Sequence, residues 1–236
     1  MKRWLIQLEG PVEAFAILEE WFQGPDLDLV RVDDAFYLAS SDFRGMTADE
    51  VDQHACRLIE AANGAIRVEN PSYPPIGIGG VSVYEDDVTG RRDVVVRPRP
   101  AVLTLKAFPP TVLVNGEPVR GPDLPRLVRR VRLALADDVV ARVLRIMETP
   151  TLDFIDMYKV IELIADSVGG EKQLFTAPRN WTDQAEYKRF KQTANSHGGR
   201  HAPGKFTPPK KPMTRLTARC YVAGVVDSWL RDEYGA

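Results

Sequence analysis

The sequence predicts an α+β chain, with a sheet domain over residues 1–120 followed by a helical domain over residues 121–236. Two observations predict this. Over the first part, short apolar runs alternate with turn-forming pairs such as Asp33-Asp34, Thr89-Gly90 and Asn115-Gly116. Over the second part, apolar residues recur every three or four positions, which is the spacing of one helix face.

Trp4 to Leu8 alternate and suit a strand, and Pro11 to Phe22 then place Val12, Phe15, Ile17, Leu18 and Trp21 at helical spacing. Leu29–Val32 and Ala35–Leu38 flank Asp33-Asp34 and read as a hairpin. Thr47 with Glu50 has the capping-box spacing, and Val51, Ala55, Leu58, Ile59 and Ala62 continue as an apolar stripe. Asn63-Gly64 is expected to stop that helix, with Ala65 to Val68 resuming as a strand. The order is then β-α-β-β-α-β, a split βαβ arrangement, so the expected sheet is ferredoxin-like with extra hairpins.

The Pro- and Gly-rich stretch from Asn70 to Gly80 reads as a turn region; Gly77-Ile78-Gly79-Gly80 lacks the Lys-Ser/Thr of a phosphate loop. Val81–Tyr84 with Asp93–Arg97, then Ala101–Leu105, are expected strands. Thr111–Val114 and Glu117–Arg120 flank Asn115-Gly116, a hairpin signal because both turn residues tolerate positive φ. Beyond Gly121, Asp123 can cap a helix with Pro125 in its first turn. Leu124, Leu127, Val131, Leu135 and Val143 form its stripe. Further helices are expected from Thr151 to Ser167 (Phe154, Ile155, Tyr158, Ile161 and Ile164 inward), from Thr182 to about Ser196, and from Thr214 to Gly235. In the last, Leu216, Cys220, Ala223, Val226 and Leu230 make the stripe and Trp229 the anchor. The whole is a four- to five-helix bundle.

Composition narrows the function classes. Hydrophobic residues make up 44% and charged residues 27%, the balance of a self-folding globular chain. The net charge of -2 gives no bulk attraction to nucleic acid or to an anionic membrane, so any basic surface must be local. The opening residues carry too short an apolar run for an export signal, and no apolar run is long enough to span a bilayer. A cytoplasmic protein without a membrane partner is expected. Cys56 and Cys220 form no disulfide framework and read as two buried thiols.

One segment departs from this even distribution. Between Tyr187 and Arg215 stand Lys188, Arg189, Lys191, Arg200, Lys205, Lys210, Lys211 and Arg215, eight cations with no Asp or Glu among them. His197, His201 and the aromatics Tyr187, Phe190 and Phe206 lie in the same window. Cations attract phosphates through counterion release, and aromatic rings stack on bases, so Lys188, Lys191, Lys205, Lys210, Lys211, Arg215, Phe190 and Phe206 are the expected nucleic-acid contacts. Gly198, Gly199, Gly204 and four prolines leave a solvated loop as the bland alternative. The arginines at 126, 129, 130 and 132 extend the basic character while solubilising a helix face.

His197 and His201 could act as general acid and base, Arg200 or Arg189 could hold a phosphate, and Asn195 could orient them, a set that suits phosphodiester cleavage. The two histidines lack a third ligand, and Gly198-Gly199 breaks the helix that would align them, so neither a metal nor a cofactor is expected.

The helical part, with Leu152-Asp-Phe-Ile-Asp-Met-Tyr-Lys-Val-Ile-Glu-Leu-Ile, Thr193-Ala-Asn-Ser-His and Gly199-Arg-His-Ala, resembles a widespread bacterial group and the HEPN superfamily. That resemblance implies a helical domain acting either as a metal-independent ribonuclease, with an Arg and a His completed by a second copy in a dimer, or as a non-catalytic binding module. Arg189 or Arg200 would match the family arginine and His197 or His201 its histidine. Two readings therefore stay open: an RNA-associated bacterial protein, as ribonuclease or defence effector, and a non-catalytic adaptor that binds a protein partner or forms a homodimer.

Overall fold

The computed structural model describes residues 2–24, 27–86, 89, 91–97, 113–114, 117–118, 124–197 and 207–236. The chain divides into two compact units, Met1–Ile59 with Pro74–Val128, and Glu60–Tyr73 with Arg129–Ala236. The expected boundary at 120/121 and the Asp123 cap lie outside the described residues, as do the Ala101–Leu105 strand and the Asn115-Gly116 turn.

The first unit is a sheet with helices. Its elements are β1 (Lys2–Glu9), α1 (Val12–Trp21), β2 (Gln23–Gly24), β3 (Leu27–Val32), β4 (Ala35–Ala39), the start of α2 (Ala48–Glu69), β5 (Gly77–Asp86) and β6 (Arg91–Val96). Among the described residues the sheet runs β2-β3-β4-β1-β5-β6, five full strands and the two-residue β2, with every pairing antiparallel. A separate pair, β7 (Leu113–Val114) and β8 (Glu117–Pro118), also runs antiparallel. β1 is central because it is apolar on both faces: the consecutive residues Trp4, Leu5 and Ile6 are all buried. Ile6 stands opposite Leu38 on β4 and Ser82 on β5.

Local signals account for much of this unit. Asp33 turns the β3–β4 hairpin with φ 54°, a left-handed conformation that Asp tolerates better than most residues. The capping box forms as its spacing demands, with Thr47 N–H donating to Glu50 Oε2 at 2.8 Å and Glu50 N–H to Thr47 Oγ1 at 3.4 Å. The Thr47 N–H, and with it the Thr47 hydroxyl, donates to the Glu50 carboxylate and holds it below the usual range. Phe15 on α1 stacks on Phe36 of β4 at 4.2 Å.

Two expectations here are corrected. Asn63-Gly64 does not end α2, and Ala65–Val68 is helix, not strand. Every residue from Ala61 to Val68 is buried, and a short apolar run of this kind reads alike as a strand or as a helix enclosed on all sides. The strand that flanks β1 on the side away from β4 is β5, which begins at Gly77, so the glycines from 77 to 80 are part of the sheet. A Cβ on Gly80 would meet the Arg97 carbonyl oxygen at 2.8 Å, which is why glycine stands beside β6 there.

The second unit is a helical region. It joins residues 60–69 of α2 to most of α3 (Leu124–Ala136), α4 (Asp138–Met147), α5 (Phe154–Ser167), a 3₁₀ turn at Glu171–Leu174, α6 (Gln184–His197) and α7 (Arg215–Tyr234). The stripe read as one helix through Val143 breaks at Asp137. Its side chain accepts from the N–H groups of Val139 and Val140 at 2.8 and 3.0 Å and so starts α4. Aspartates likewise displace the expected threonine starts. Asp153 caps α5 through Ile155 and Asp156, and Asp183 caps α6 through Ala185 and Glu186. Thr214 does cap α7, and Gly235 ends it in the left-handed region at φ 69°.

The core holds Val140, Val143, Leu144, Met157, Ile161, Ile164, Phe190, Val222, Val226, Trp229 and Leu230. Ile155, Leu216 and Cys220, expected to face inward, are exposed instead. The buried line of α7 runs through Ala218, Val222, Val225, Val226 and Trp229, one face round from Leu216 and Cys220. Cys56 is part-buried. Among the described residues no helix is long and apolar enough to cross a membrane.

Candidate functional site

The basic segment begins on α6 and resumes at the start of α7, and two bonds fix residues 211–213 along α6. Arg189 Nε donates to the Lys211 carbonyl at 2.8 Å, and the Met213 N–H donates to Thr193 Oγ1 at 3.1 Å. Thr193 is fully buried and passes its own proton to the Arg189 carbonyl at 2.9 Å, so this junction is saturated. Lys188, Lys210, Lys211 and Arg215 are all exposed around it.

Other members of the expected site are committed elsewhere. Arg189 also donates through Nη1 to Glu186 at 3.2 Å, one turn back on α6. Lys191 Nζ donates to both oxygens of Glu171 at 2.6 and 2.7 Å and lies 5.7 Å from the centre of the Tyr187 ring. Burial pushes the Glu171 carboxyl up, but the bonds from Lys191 and Tyr187 outweigh it and hold the group below its usual range. Burial likewise favours neutral Lys191, and Glu171 reverses that and raises it. The Tyr187 phenol is raised, first by burial and then by its bond to Glu171. Lys191 thus stays charged and is paired within the fold.

Phe190 is wholly buried, its ring 6.3 Å from that of Tyr158 and 5.2 Å from that of Tyr221, so it is a core residue and no platform for a base. Asn195 is 7% exposed, and its Oδ1 has no hydrogen-bond partner among the described residues. His197 ends α6, with its side chain outside the described residues, as are Arg200, His201, Lys205 and Phe206 entirely.

Sequence reasoning missed a second set of polar groups, buried in the same unit. Arg130, read as one of several solubilising arginines, is fully enclosed on α3. It donates to Glu69 on α2 at 3.3 Å and to Asp227 on α7 at 2.5 Å. Arg67 on α2 and Arg219 on α7 are 3% and 7% exposed. Arg67 Nη1 donates to the Glu148 carbonyl and Arg219 Nη1 to the Pro150 carbonyl, each at 2.7 Å.

Burial, and then the nearby positive charge of Arg219, lower the Arg67 guanidinium to about 10. Burial lowers Arg219 as well. The Glu148 side chain is raised to about 7 by burial first and by Glu60 second, against the pull of Arg67 and Arg145. The only advance sign of this set was arginine standing among apolar residues at helical spacing, a pattern that also fits a long side chain lying along a surface.

Comparison with family models, with curated proteins and with solved structures finds no match.

Proposed function

We propose that this protein acts in the bacterial cytoplasm by binding RNA, with the α6–α7 junction of the helical unit as the contact surface. One observation carries the reading. Lys188, Lys210, Lys211 and Arg215 are exposed and have no ion-pair partner among the described residues, and the main chain of residues 211–213 is pinned to α6 by bonds to the Arg189 and Thr193 side chains. Cations on a fixed frame lose little freedom when they meet phosphates, and each neutralised phosphate releases counterions. Burial of Phe190 argues for backbone binding in preference to base stacking.

The finer form of the reading is a HEPN-like ribonuclease or defence effector, with His197, His201 and Arg200 as its chemistry. The engagement of Arg189 by Glu186 and Lys211 supports Arg200 over Arg189 as the phosphate-holding arginine. For the first unit, a ferredoxin-like assignment is supported by the succession β3-β4-β1-β5 with α1 and α2 as its two crossovers.

The test is titration of labelled single-stranded RNA with the purified protein over a range of salt, followed by anisotropy. Four phosphate contacts correspond to a slope of log K against log salt of roughly -3. The variant with Lys188, Lys210, Lys211 and Arg215 all changed to Gln should lose most of that slope. Absence of binding at low salt, or an unchanged slope in the variant, refutes the reading. The same RNA incubated in EDTA distinguishes enzyme from binder: cleavage that disappears with His197→Ala and His201→Ala marks the ribonuclease.

A second reading, the non-catalytic adaptor or homodimer, is favoured by Val94 and Val96 on β6, which are 59% and 70% exposed on one strand. Apolar side chains in that position suit strand addition by a protein partner.

A further inference from the structure

We propose that β6 is a docking edge for a second copy of this chain, paired antiparallel about Val94 so that the sheets of the two copies run on as one. This takes up the homodimer within the second reading and is independent of the RNA reading. Among the described residues β6 ends the sheet, and the opposite end is the two-residue β2. The Arg97 N–H donates to the Gly80 carbonyl at 2.8 Å, and bonded and non-bonded pairs alternate along an antiparallel ladder. With Val81 opposite Val96, residues 91, 93 and 95 therefore exchange bonds with β5, and the N–H and C=O groups of Arg92, Val94 and Val96 point to the open edge. Their side chains stand on the sheet face away from the helices, since Arg97, one residue out of phase with them, reaches Asp49 on α2. Val94 and Val96 are 59% and 70% exposed there.

A second β6 with Val94 against Val94 sets Arg92 of each strand against Val96 of the other. All three outward-pointing residues are then used on both strands, giving about six main-chain hydrogen bonds. Leu5, Val83 and Val94 form an apolar row across β1, β5 and β6, and the pairing continues it into the same row of the second copy. Arg92 lays its alkyl stem along the exposed Val96. Charges on an edge strand ordinarily deter such pairing. Here they come already matched within one chain: Arg91 to Asp93 at 2.9 Å, Arg92 to Glu85 at 2.6 Å and Arg97 to Asp49 at 2.6 Å. Arg91 opposite Arg97 of the second copy thus brings together two neutralised pairs. An unrelated strand would have to reproduce this spacing of apolar and outward-pointing groups, whereas a second copy has it by symmetry. With only β2 at the other end, pairing closes at two copies and does not run on into a filament.

The experiment is sedimentation velocity of the full chain, without RNA, from micromolar to submillimolar concentration. The expected result is a shift from monomer to dimer along the series. Val94→Lys sets like charges against each other at the two-fold axis, and so does Val94→Glu; each should raise the dissociation constant about tenfold or more. An equimolar mixture of the two variants should associate again, because a lysine then faces a glutamate. Val94→Pro removes an N–H that β5 does not use, so it should keep the circular dichroism spectrum of the wild type and lose the dimer.

A wild-type chain that stays monomeric at every concentration overturns the proposal, whether a different protein or residues 98–112 of the same chain take the edge. A dimer undiminished in all three variants overturns it too and places the interface elsewhere, with the homodimer reading left standing. Failure of the mixed variants to associate overturns the pairing about Val94. The RNA titration is decided separately, since its four cations belong to the other unit.

Discussion

Two opposing effects act on a Gly64→Ala substitution. In an exposed helix interior alanine is favoured over glycine by about 1 kcal/mol, since glycine loses more backbone freedom on folding. Gly64, however, lies on α2 against the main chain of Leu144 on α4. A Cβ there would stand 2.7 Å from the Leu144 carbonyl carbon and 2.9 Å from its Cβ, and closer still to the carbonyl oxygen.

Ordinary contacts between carbon atoms fall at roughly 3.5–4.0 Å, so the helices must separate by about 1 Å. The obstacle is backbone and cannot change rotamer. Val140, Val143, Leu144 and Met147 are fully buried along α4 and would lose contacts as it moves. Overpacking of this kind costs about 1–3 kcal/mol, and a main-chain clash belongs at the upper end. After the propensity gain is subtracted, the net loss is about 2 kcal/mol. Urea unfolding followed through the helical circular dichroism signal and tryptophan fluorescence measures it, since Trp181 and Trp229 both belong to this unit. An unchanged or higher midpoint would refute the close approach of α2 and α4.

Glu148 and Arg130 give two further expectations. The Glu148 carboxyl rises from its ordinary 4.5 to about 7 in the folded chain, so between those values the folded state binds more protons than the unfolded one, and stability falls as pH rises through the window. Because Glu148 is only part-buried, solvent screening reduces the penalty above the window to about 1–2 kcal/mol. Glu148→Gln should therefore be more stable than wild type above about pH 7 and equal to it below about pH 4.5 in phosphate-free urea titrations; equal stability at both ends contradicts the shift. Arg130→Met leaves Glu69 and Asp227 facing a buried gap and should destabilise by about 3–5 kcal/mol. Adding Glu69→Gln and Asp227→Asn should recover part of the loss in the same assay, and no recovery would mean that packing, not charge, is what Arg130 supplies.

What was legible in the sequence is what neighbours in the chain decide. The strand at Trp4–Leu8, the β3–β4 turn, the Thr47–Glu50 box and the Thr214 to Gly235 limits of α7 each rest on residues a few positions apart. The extension of α2 does not: Asn63-Gly64 looks like a stop until Leu144 arrives against it.

The same holds for charge. Cation density between Tyr187 and Arg215 was plain, but which cations stay free was decided by Glu171, 20 residues before Lys191. Arg130 was mistaken for a surface residue because its partners lie 61 and 97 residues away. Phe190 has the composition of a stacking residue and the position of a core one, and only the packing of Tyr158 and Tyr221 separates the two.

The helical unit is assembled from two stretches of chain with Pro74–Val128, which belong to the other unit, between them. On the ribosome Glu60–Tyr73 is made first, and at about 5–20 residues per second it precedes Arg129 by some seconds. During that interval Ala61, Ala62, Ala65, Ile66, Val68 and Tyr73, all buried in the finished unit, have none of the later helices to cover them. Excising residues 121–236 as a fragment would recreate that state from the other side, with Arg130 deprived of Glu69 and Leu144 of the glycine it rests on. Nascent-chain handling, more than equilibrium stability, is therefore where this division of the chain exposes it to misassembly.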